Sequence, residues 1–148
     1  MQIRMAELKD LDQLAPLFDQ YRVFYKQSSH LEAARDFLEK RFQKNDSVVF
    51  MAEDGDQIVG FTQLYSSFSS VSLQRQYILN DLFVAETHRN QGIATALLEK
   101  AKEFCRLQKA KGLALETDHN NPAQYLYEKL GWKKDDRTFH YFWTSPQA

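Results

Sequence analysis

The sequence lacks the residues that several protein classes require. Cys105 is the single cysteine among 148 residues, so an intrachain disulfide and a cysteine-based metal cluster are both excluded. Cys105 falls on the apolar face of a predicted helix, where we expect a buried small hydrophobe and not a reactive thiol. The four histidines show no i,i+4 pairing and no metal-ligand spacing. We therefore expect no metal site in this protein.

Long apolar runs and an excess of positive charge are also missing. No run approaches the roughly 18 residues that a membrane span needs, and the N-terminal sequence MQIRM has no apolar signal core. Nineteen basic against twenty acidic residues give a net charge of −1, so no overall basic charge indicates nucleic acid binding. We expect a cytoplasmic protein without a membrane or nucleic acid partner.

The patterning of the chain predicts one α+β domain. With 43% hydrophobic and 26% charged residues, residues 1–148 suit a single domain with a sizeable core. Apolar runs predict strands at 3–6, 47–52, 57–65, 74–84, 113–117 and 139–143. Helical periodicity predicts a first helix opened by Asp10 and Gln13 as a capping box, with a kink or shifted start near Pro16. Three further helices are predicted at 31–42, 95–107 and 122–131.

The segment 89–94, with the sequence R-N-Q-G-I-A, joins a predicted strand to a predicted helix. A helix N-terminus leaves backbone N–H groups unpaired, and the helix dipole favours an anion there. Gly92 and Ala94 let the backbone approach a ligand closely, and Arg89 adds a cation. Such a turn can hold a pyrophosphate. A nicotinamide dinucleotide site is disfavoured, because its G-x-G-x-x-G fingerprint needs three glycines and this turn contains Gly92 alone.

A second segment, 120–132, has the sequence N-N-P-A-Q-Y-L-Y-E-K-L-G-W. Together the two segments resemble the GCN5-related N-acetyltransferase (GNAT) superfamily. In that superfamily, R/Q-x-x-G-x-G/A binds the acetyl-CoA pyrophosphate and N-x-x-A-x-x-x-Y-x-x-x-G-F/W closes the site. The resemblance is clear from 47 to 132. It implies a central mixed, largely antiparallel sheet that is splayed at the cofactor cleft and flanked by about four helices.

The resemblance also implies which residues hold acetyl-CoA as co-substrate and which act on it. Backbone groups of the strand before the turn pair with the pantetheine arm, and backbone N–H groups of the turn hold the pyrophosphate. Tyr127 has the spacing of the phenol that protonates the departing thiolate, although it can also be read as a core aromatic. The implied cofactor contacts are Phe83, Val84, Arg89, Gln91, Gly92, Ile93, Ala94, Thr95 and Asn120.

The acceptor side is less determined by the sequence. Many family members carry a glutamate base where this chain has Asn80, so Asp81 is a general base, an anchor for a substrate ammonium, or a structural residue. The sequence around Asp81 and the aromatic helix with Tyr21 and Tyr25 look most like enzymes that acetylate small primary amines, such as polyamines or amino acids. A protein or peptide acceptor and a non-catalytic acyl-CoA-binding module are the alternatives. A homodimer is compatible with this reading.

Overall fold

The computed structural model describes residues 1–147, and its elements follow the predicted α+β order. The strands are β1 Gln2–Met5, β2 Ser47–Asp54, β3 Gln57–Ser69, β4 Gln74–Val84 and β5 Leu113–Ala114, and the helices are α1 Leu11–Phe24, α2 Leu31–Lys44, α3 Ile93–Leu107 and α4 Ala123–Lys129. The chain divides into two compact units. The first, Met1–Glu116, contains the sheet and three of these helices, and the second begins at Thr117 and contains α4.

The five strands form one mixed sheet in the order β1-β2-β3-β4-β5. The first three neighbouring pairs are antiparallel, and β5 is parallel to β4. The parallel pairing is limited to two partner pairs, Tyr77 with Leu113 and Ile78 with Ala114. Beyond Ile78 the edge of β4 therefore has no partner in β5. This agrees with the splayed, largely antiparallel sheet that the resemblance implies.

Helices cover both faces of the sheet. The ring of Phe61 in β3 lies 6.0 Å from Phe18 and 5.7 Å from Tyr21, both in α1. A side chain at the neighbouring Gly60 would instead meet Ile93 at 3.2 Å in α3. Because successive strand residues point to opposite faces, α1 and α3 lie on opposite sides of the sheet. The absence of a side chain at Gly60 allows the N-terminus of α3 to pack close to β3.

A β-bulge at Asn80 reverses the faces of the sheet to which the side chains of the last residues of β4 point. Gln63 pairs with Asp81 and Leu64 with Leu79, so Asn80 is an extra residue in β4. Upstream of the bulge, the Tyr77 ring contacts Phe104 of α3. Downstream, the rings of Phe83 and Tyr21 are 6.1 Å apart, on the α1 side. Strict alternation would put Tyr77 and Phe83 on one face, so the inserted residue turns Asp81 and Phe83 toward α1.

The start of α1 differs from the predicted capping box. The carboxylate of Asp10 accepts hydrogen bonds from Arg4 at 2.7 and 2.9 Å and from the backbone N–H of Glu7 at 2.8 Å. These donors use Asp10 in the preceding turn, and it makes no side-chain cap to α1. The helix also runs through Pro16 without a break. The predicted burial of Cys105, by contrast, is confirmed, since it is 7% exposed.

The predicted strand at 139–143 is wrong, because no strand forms there within residues 1–147. Its four aromatic side chains are between 78% and 89% exposed. High β-propensity does not by itself make a strand, since the backbone also needs a partner with which to hydrogen-bond. The predicted strand at 113–117 is reduced to Leu113–Ala114.

Candidate active site

The turn between β4 and α3 has the geometry of an anion cradle. Gly92 is in the left-handed region with φ of +80°, and no atom lies within 4 Å of the position where a Cβ would stand. The first hydrogen bond of α3 runs from Ala96 N–H to the carbonyl oxygen of Gly92. The N–H groups of Ile93, Ala94 and Thr95 therefore precede the helical hydrogen-bond pattern. Ile93 directs its side chain into the core, at 3% exposure, so its backbone is the group available to a ligand.

The side chain of Arg89 lies against the end of β4. Its Nε donates to the carbonyl oxygen of Val84 at 3.0 Å. Its guanidinium carbon is 5.4 Å from the Phe83 ring centroid and 5.6 Å from that of Phe24. The predicted cation is thus held by one hydrogen bond and two aromatic faces. Gln91 is exposed in the same turn.

Phe83 and Val84 differ in the direction of their backbone groups. The N–H of Ala85 donates to Val59 in β3, and backbone groups alternate in direction along an antiparallel strand. The backbone groups of Phe83 therefore point toward β3, and those of Val84 point to the open edge. Val84, and not Phe83, is positioned to pair with an arm lying along that edge. The same alternation adds Leu82, which sequence reasoning missed.

A cavity of about 300 Å³ lies on the α1 and α2 side of β4. Its lining combines apolar side chains with a small number of polar ones, an arrangement typical of small-molecule sites. The lining residues are Phe18, Tyr21, Arg22, Ala33, Ala34, Phe37, Tyr65, Asn80 and Asp81. Tyr21 and Asp81 are therefore brought together as predicted. Tyr25 does not line this cavity. Its ring packs 5.0 Å from the ring of Tyr21, and its contact with the substrate stays a prediction.

Asp81 is the buried acid of the cavity, with 2% of its surface exposed. Its carboxylate accepts hydrogen bonds from Nδ2 of Asn80 at 2.7 Å and from Nε2 of Gln63 at 2.6 Å. The Tyr21 hydroxyl is 3.4 Å from the same carboxylate. Burial raises the pKa of Asp81 above its usual value, although these three donors oppose the shift. A carboxyl group with a raised pKa holds a proton more readily than an exposed aspartate.

The two tyrosines of the cavity keep their protons at neutral pH. Burial and the nearby charge of Asp81 raise the pKa of Tyr65 to about 12. The same two causes raise the pKa of Tyr21 well above its usual value. Both phenols are therefore hydrogen-bond donors beside Asp81 and not bases.

Sequence reasoning missed three polar members of this site. Gln63 is fully buried in β3, and it pairs with Asp81 across the ladder. Tyr65, two residues later, and Arg22, the neighbour of Tyr21, line the cavity. The available signal was the polar Gln63 inside a run of apolar strand residues. Arg22 and Tyr65 carry no comparable mark in the sequence.

The second unit contains Asn120 and Tyr127. Asn120 lies in the turn before α4. Asn121 accepts the backbone N–H of Ala123 through Oδ1 at 2.9 Å, so it fixes the start of α4. Tyr127 is partly buried, and its ring centroid is 6.0 Å from that of Trp132. The roles of Asn120 and Tyr127 stay predictions.

Two further observations concern metals and membranes. In the part of the chain that the structure describes, no group of histidine, cysteine and carboxylate side chains could hold a metal ion. Every helix among residues 1–147 is too short or too polar to span a bilayer.

Comparison with known proteins gives the family. Residues 11–132 match the Acetyltransferase (GNAT) family. The chain is 46% identical over 142 residues to "Uncharacterized N-acetyltransferase YhfO" of Bacillus subtilis (strain 168), covering 95% of each. It is 36% identical over 140 residues to a "Probable acetyltransferase" of Haemophilus influenzae, covering 94% of this chain and 96% of the other. A solved crystal structure of a probable acetyltransferase has a TM-score of 0.93 at 44% identity, covering 99% of this chain and 100% of that one. The chain belongs to the acetyltransferase (GNAT) family and is an N-acetyltransferase.

Proposed function

We propose that this enzyme transfers an acetyl group from acetyl-CoA to the primary amine of a small molecule bound in the cavity beside Asp81. The observation that carries the proposal is the buried Asp81 carboxylate on the wall of a cavity of about 300 Å³. A cavity of this size is at the lower end of the range for small-molecule sites. It suits a compact amine better than a folded protein surface.

The residues of the first unit fit acetyl-CoA, the co-substrate of this family. The empty space at Gly92 leaves room for a pyrophosphate against the backbone. The N–H groups at the start of α3 supply donors for it. The outward N–H of Val84 offers a donor with which an extended amide-containing arm can pair, and the Val84 carbonyl oxygen already accepts a hydrogen bond from Arg89. When bound, acetyl-CoA supplies the activated acetyl thioester.

Asp81 has the environment of a general base for this reaction. A primary amine is mostly protonated at neutral pH, and the ammonium is not a nucleophile. An ammonium in the cavity would donate a hydrogen bond to Asp81 and transfer its proton there. The raised pKa of Asp81 brings it closer to the pH at which a general base works best. Asn80 cannot take this role, because an amide does not accept a proton usefully.

The departing thiolate needs a proton of its own. Tyr127 is the residue that we propose for this step, on its position in the 120–132 motif. The nitrogen loses a second proton as the amide forms, and this proton replaces the one that Tyr127 donates. The proton taken by Asp81 is released to solvent, so the reaction converts an ammonium and a thioester into an amide, a thiol and one proton.

Release of coenzyme A from acetyl-CoA, measured with a panel of amines, tests the proposal. The panel contains free amino acids, polyamines, simple alkylamines and short peptides, with a reaction lacking any acceptor as control. Acceptor-dependent release with small amines is the expected result. Activity confined to peptides would move the acceptor to the protein class. Tight acetyl-CoA binding without release on any acceptor would indicate a non-catalytic acyl-CoA-binding module.

A further inference from the structure

We propose that the acceptor carries an acid group as well as its amine, and that Arg22 binds this acid group. The inference rests on the proposed function, which places the amine at Asp81. It narrows the acceptor from primary amines in general to amino acids and similar zwitterions. The geometry that points to it is the position of Arg22 in the lining of the same cavity as Asp81.

Arg22 has a buried nitrogen without a hydrogen-bond acceptor. Its Nη1 is buried, and within residues 1–147 no acceptor lies within hydrogen-bonding distance of it. The side chain as a whole is 32% exposed, so it is atoms other than Nη1 that are open where Arg22 lines the cavity. A buried donor of a charged group without an acceptor is unfavourable. Rotation of the guanidinium toward a ligand oxygen in the cavity would give this nitrogen its acceptor.

The neighbouring carboxylate does not supply the missing acceptor. Oδ1 of Asp19 is 4.0 Å from Nη1 of Arg22, too far for a hydrogen bond. The carboxylate of Asp19 already accepts two other hydrogen bonds, from the Ser29 hydroxyl at 2.6 Å and from the His30 backbone N–H at 2.9 Å. Arg22 and Asp19 therefore attract each other through their charges alone, and Asp19 does not occupy the hydrogen-bond donors of Arg22.

Other arginines show that this arrangement is not general in the chain. Arg4 and Arg35 each bind two carboxylates at hydrogen-bonding distance. Arg41 also has a buried nitrogen without an acceptor, Nε. Arg41, however, has Nη1 3.4 Å from Asp46 and does not line the cavity. Among these arginines, Arg22 alone combines an unsatisfied donor with a place in the cavity wall.

The charges facing the cavity match a zwitterion. The charged residues in the cavity lining are Asp81 from β4 and Arg22 from α1. The residues from α2 are Ala33, Ala34 and Phe37, which carry no charge. An amino acid would place its ammonium at Asp81 and its carboxylate at Arg22, where a guanidinium binds both oxygens. A polyamine would bring a second cation toward Arg22, and like charges repel.

The test compares matched acceptors in the wild type and in Arg22→Met. Each free amino acid, in both enantiomers, is assayed beside its amide and its decarboxylated amine, with spermidine as a polycation. For amino acids we expect the KM of Arg22→Met to rise by about 10- to 100-fold, the scale of losing a hydrogen bond to a charged group. For decarboxylated amines the KM should stay within about 3-fold, since they carry no group for Arg22 to bind. Arg22→Lys keeps the charge and should give an intermediate KM.

Arg35→Met is the control variant, because Arg35 lies outside the cavity lining and should leave all acceptors unaffected. Melting temperature and acetyl-CoA affinity of each variant report on the fold. If decarboxylated amines or spermidine are acetylated as well as amino acids are, the inference is wrong while the proposed function stands. An equal loss for all acceptors in Arg22→Met would also overturn it, since that result indicates a structural role.

A binding measurement separates this inference from the proposed function. The N-acetyl derivatives of the same amino acids keep the acid group and lack the ammonium, so their calorimetric affinity depends on Arg22 and requires no turnover. Binding to the wild type that is lost in Arg22→Met supports the acid-group site even if no amine is acetylated. Binding that is absent, or unchanged in the variant, overturns it.

Discussion

Replacing Asp81 by asparagine should separate catalysis from stability, because the carboxylate is useful for the first and costly for the second. The side chain keeps its size, so packing around this 2% exposed position is preserved. Loss of a general base lowers turnover by about 10²- to 10⁴-fold. We expect a fall in kcat/KM of that size for the amine acceptor.

The effect on stability follows from the direction of the pKa shift. Burial raises the pKa of Asp81 above the ordinary 3.8, so the folded protein binds this proton more tightly than the unfolded chain does. The resulting stabilisation is fully present below 3.8 and is lost as the pH rises through the folded pKa. Each unit of elevation then corresponds to about 1.4 kcal/mol of folding free energy lost at high pH. Asparagine carries no charge and escapes this loss.

The hydrogen bonds around position 81 act against the stability that Asp81→Asn gains at high pH. Both carboxylate oxygens of Asp81 accept hydrogen bonds, from Asn80 and from Gln63, and asparagine offers one oxygen and one NH₂ group instead. A mispaired buried donor costs about 1–3 kcal/mol. Oε1 of Gln63 has no partner within residues 1–147, so rotation of the Gln63 amide would present an acceptor to the new NH₂ group. This rotation limits the cost, which does not depend on pH.

Thermal melts of the ligand-free proteins at pH 4.5 and pH 8 measure the net effect of the removed charge and the changed hydrogen bonds on stability. We expect the melting temperature of Asp81→Asn relative to wild type to increase between these pH values, by about 2–4 °C for each kcal/mol. Gln63→Leu, which removes the amide, is a control for the hydrogen-bond term. A difference in melting temperature that stays constant with pH, or that falls as the pH rises, would contradict the assigned shift. Unchanged turnover would remove Asp81 from catalysis.

Three further predictions concern the acetyl-CoA side of the enzyme. Gly92→Val should abolish acetyl-CoA binding in calorimetry, because the side chain fills the space against the backbone; Gly55→Val, also at positive φ, should leave binding intact, and equal loss in both would implicate the fold instead. Tyr127→Phe should lower turnover by about 10²- to 10⁴-fold with little change in acetyl-CoA affinity, whereas lost thermal stability with retained turnover would indicate a packing role. Asn120→Ala should weaken acetyl-CoA binding by about 1–2 kcal/mol, and more than Asn121→Ala, which removes the hydrogen bond from the Ala123 backbone N–H; the reverse order would place the contact one residue later.

Much of the fold could be predicted because its elements carry strong local signals. The bounds of β4 were predicted as they stand, and α2 begins at the predicted Leu31. The errors occur where tertiary partners decide. At 139–143 an aromatic-rich segment has the composition of a strand but forms none. At Asp10 a good capping residue is taken by Arg4 and Glu7, which local spacing does not reveal.

The candidate site was predicted where it lies within one continuous motif. The turn with Gly92 and the acid Asp81 follow from short sequence patterns. Arg22, Gln63 and Tyr65 could not be found in this way, because they reach Asp81 or its cavity from α1 and β3, through the sheet register and the helix packing. The spacing of these residues along the chain does not indicate that they lie close together in the fold.

The bulge at Asn80 also explains how the cavity has an acid although position 80 is an asparagine. Without the bulge, regular alternation through Asn80 would carry Asp81 to the α3 side with Tyr77. The bulge instead turns the carboxylate into the cavity beside Tyr21. Asn80 then contributes a hydrogen bond that holds the carboxylate of Asp81 in place. The replacement of glutamate by asparagine at position 80 therefore does not deprive the cavity of an acid, because the next residue provides it and the bulge orients it.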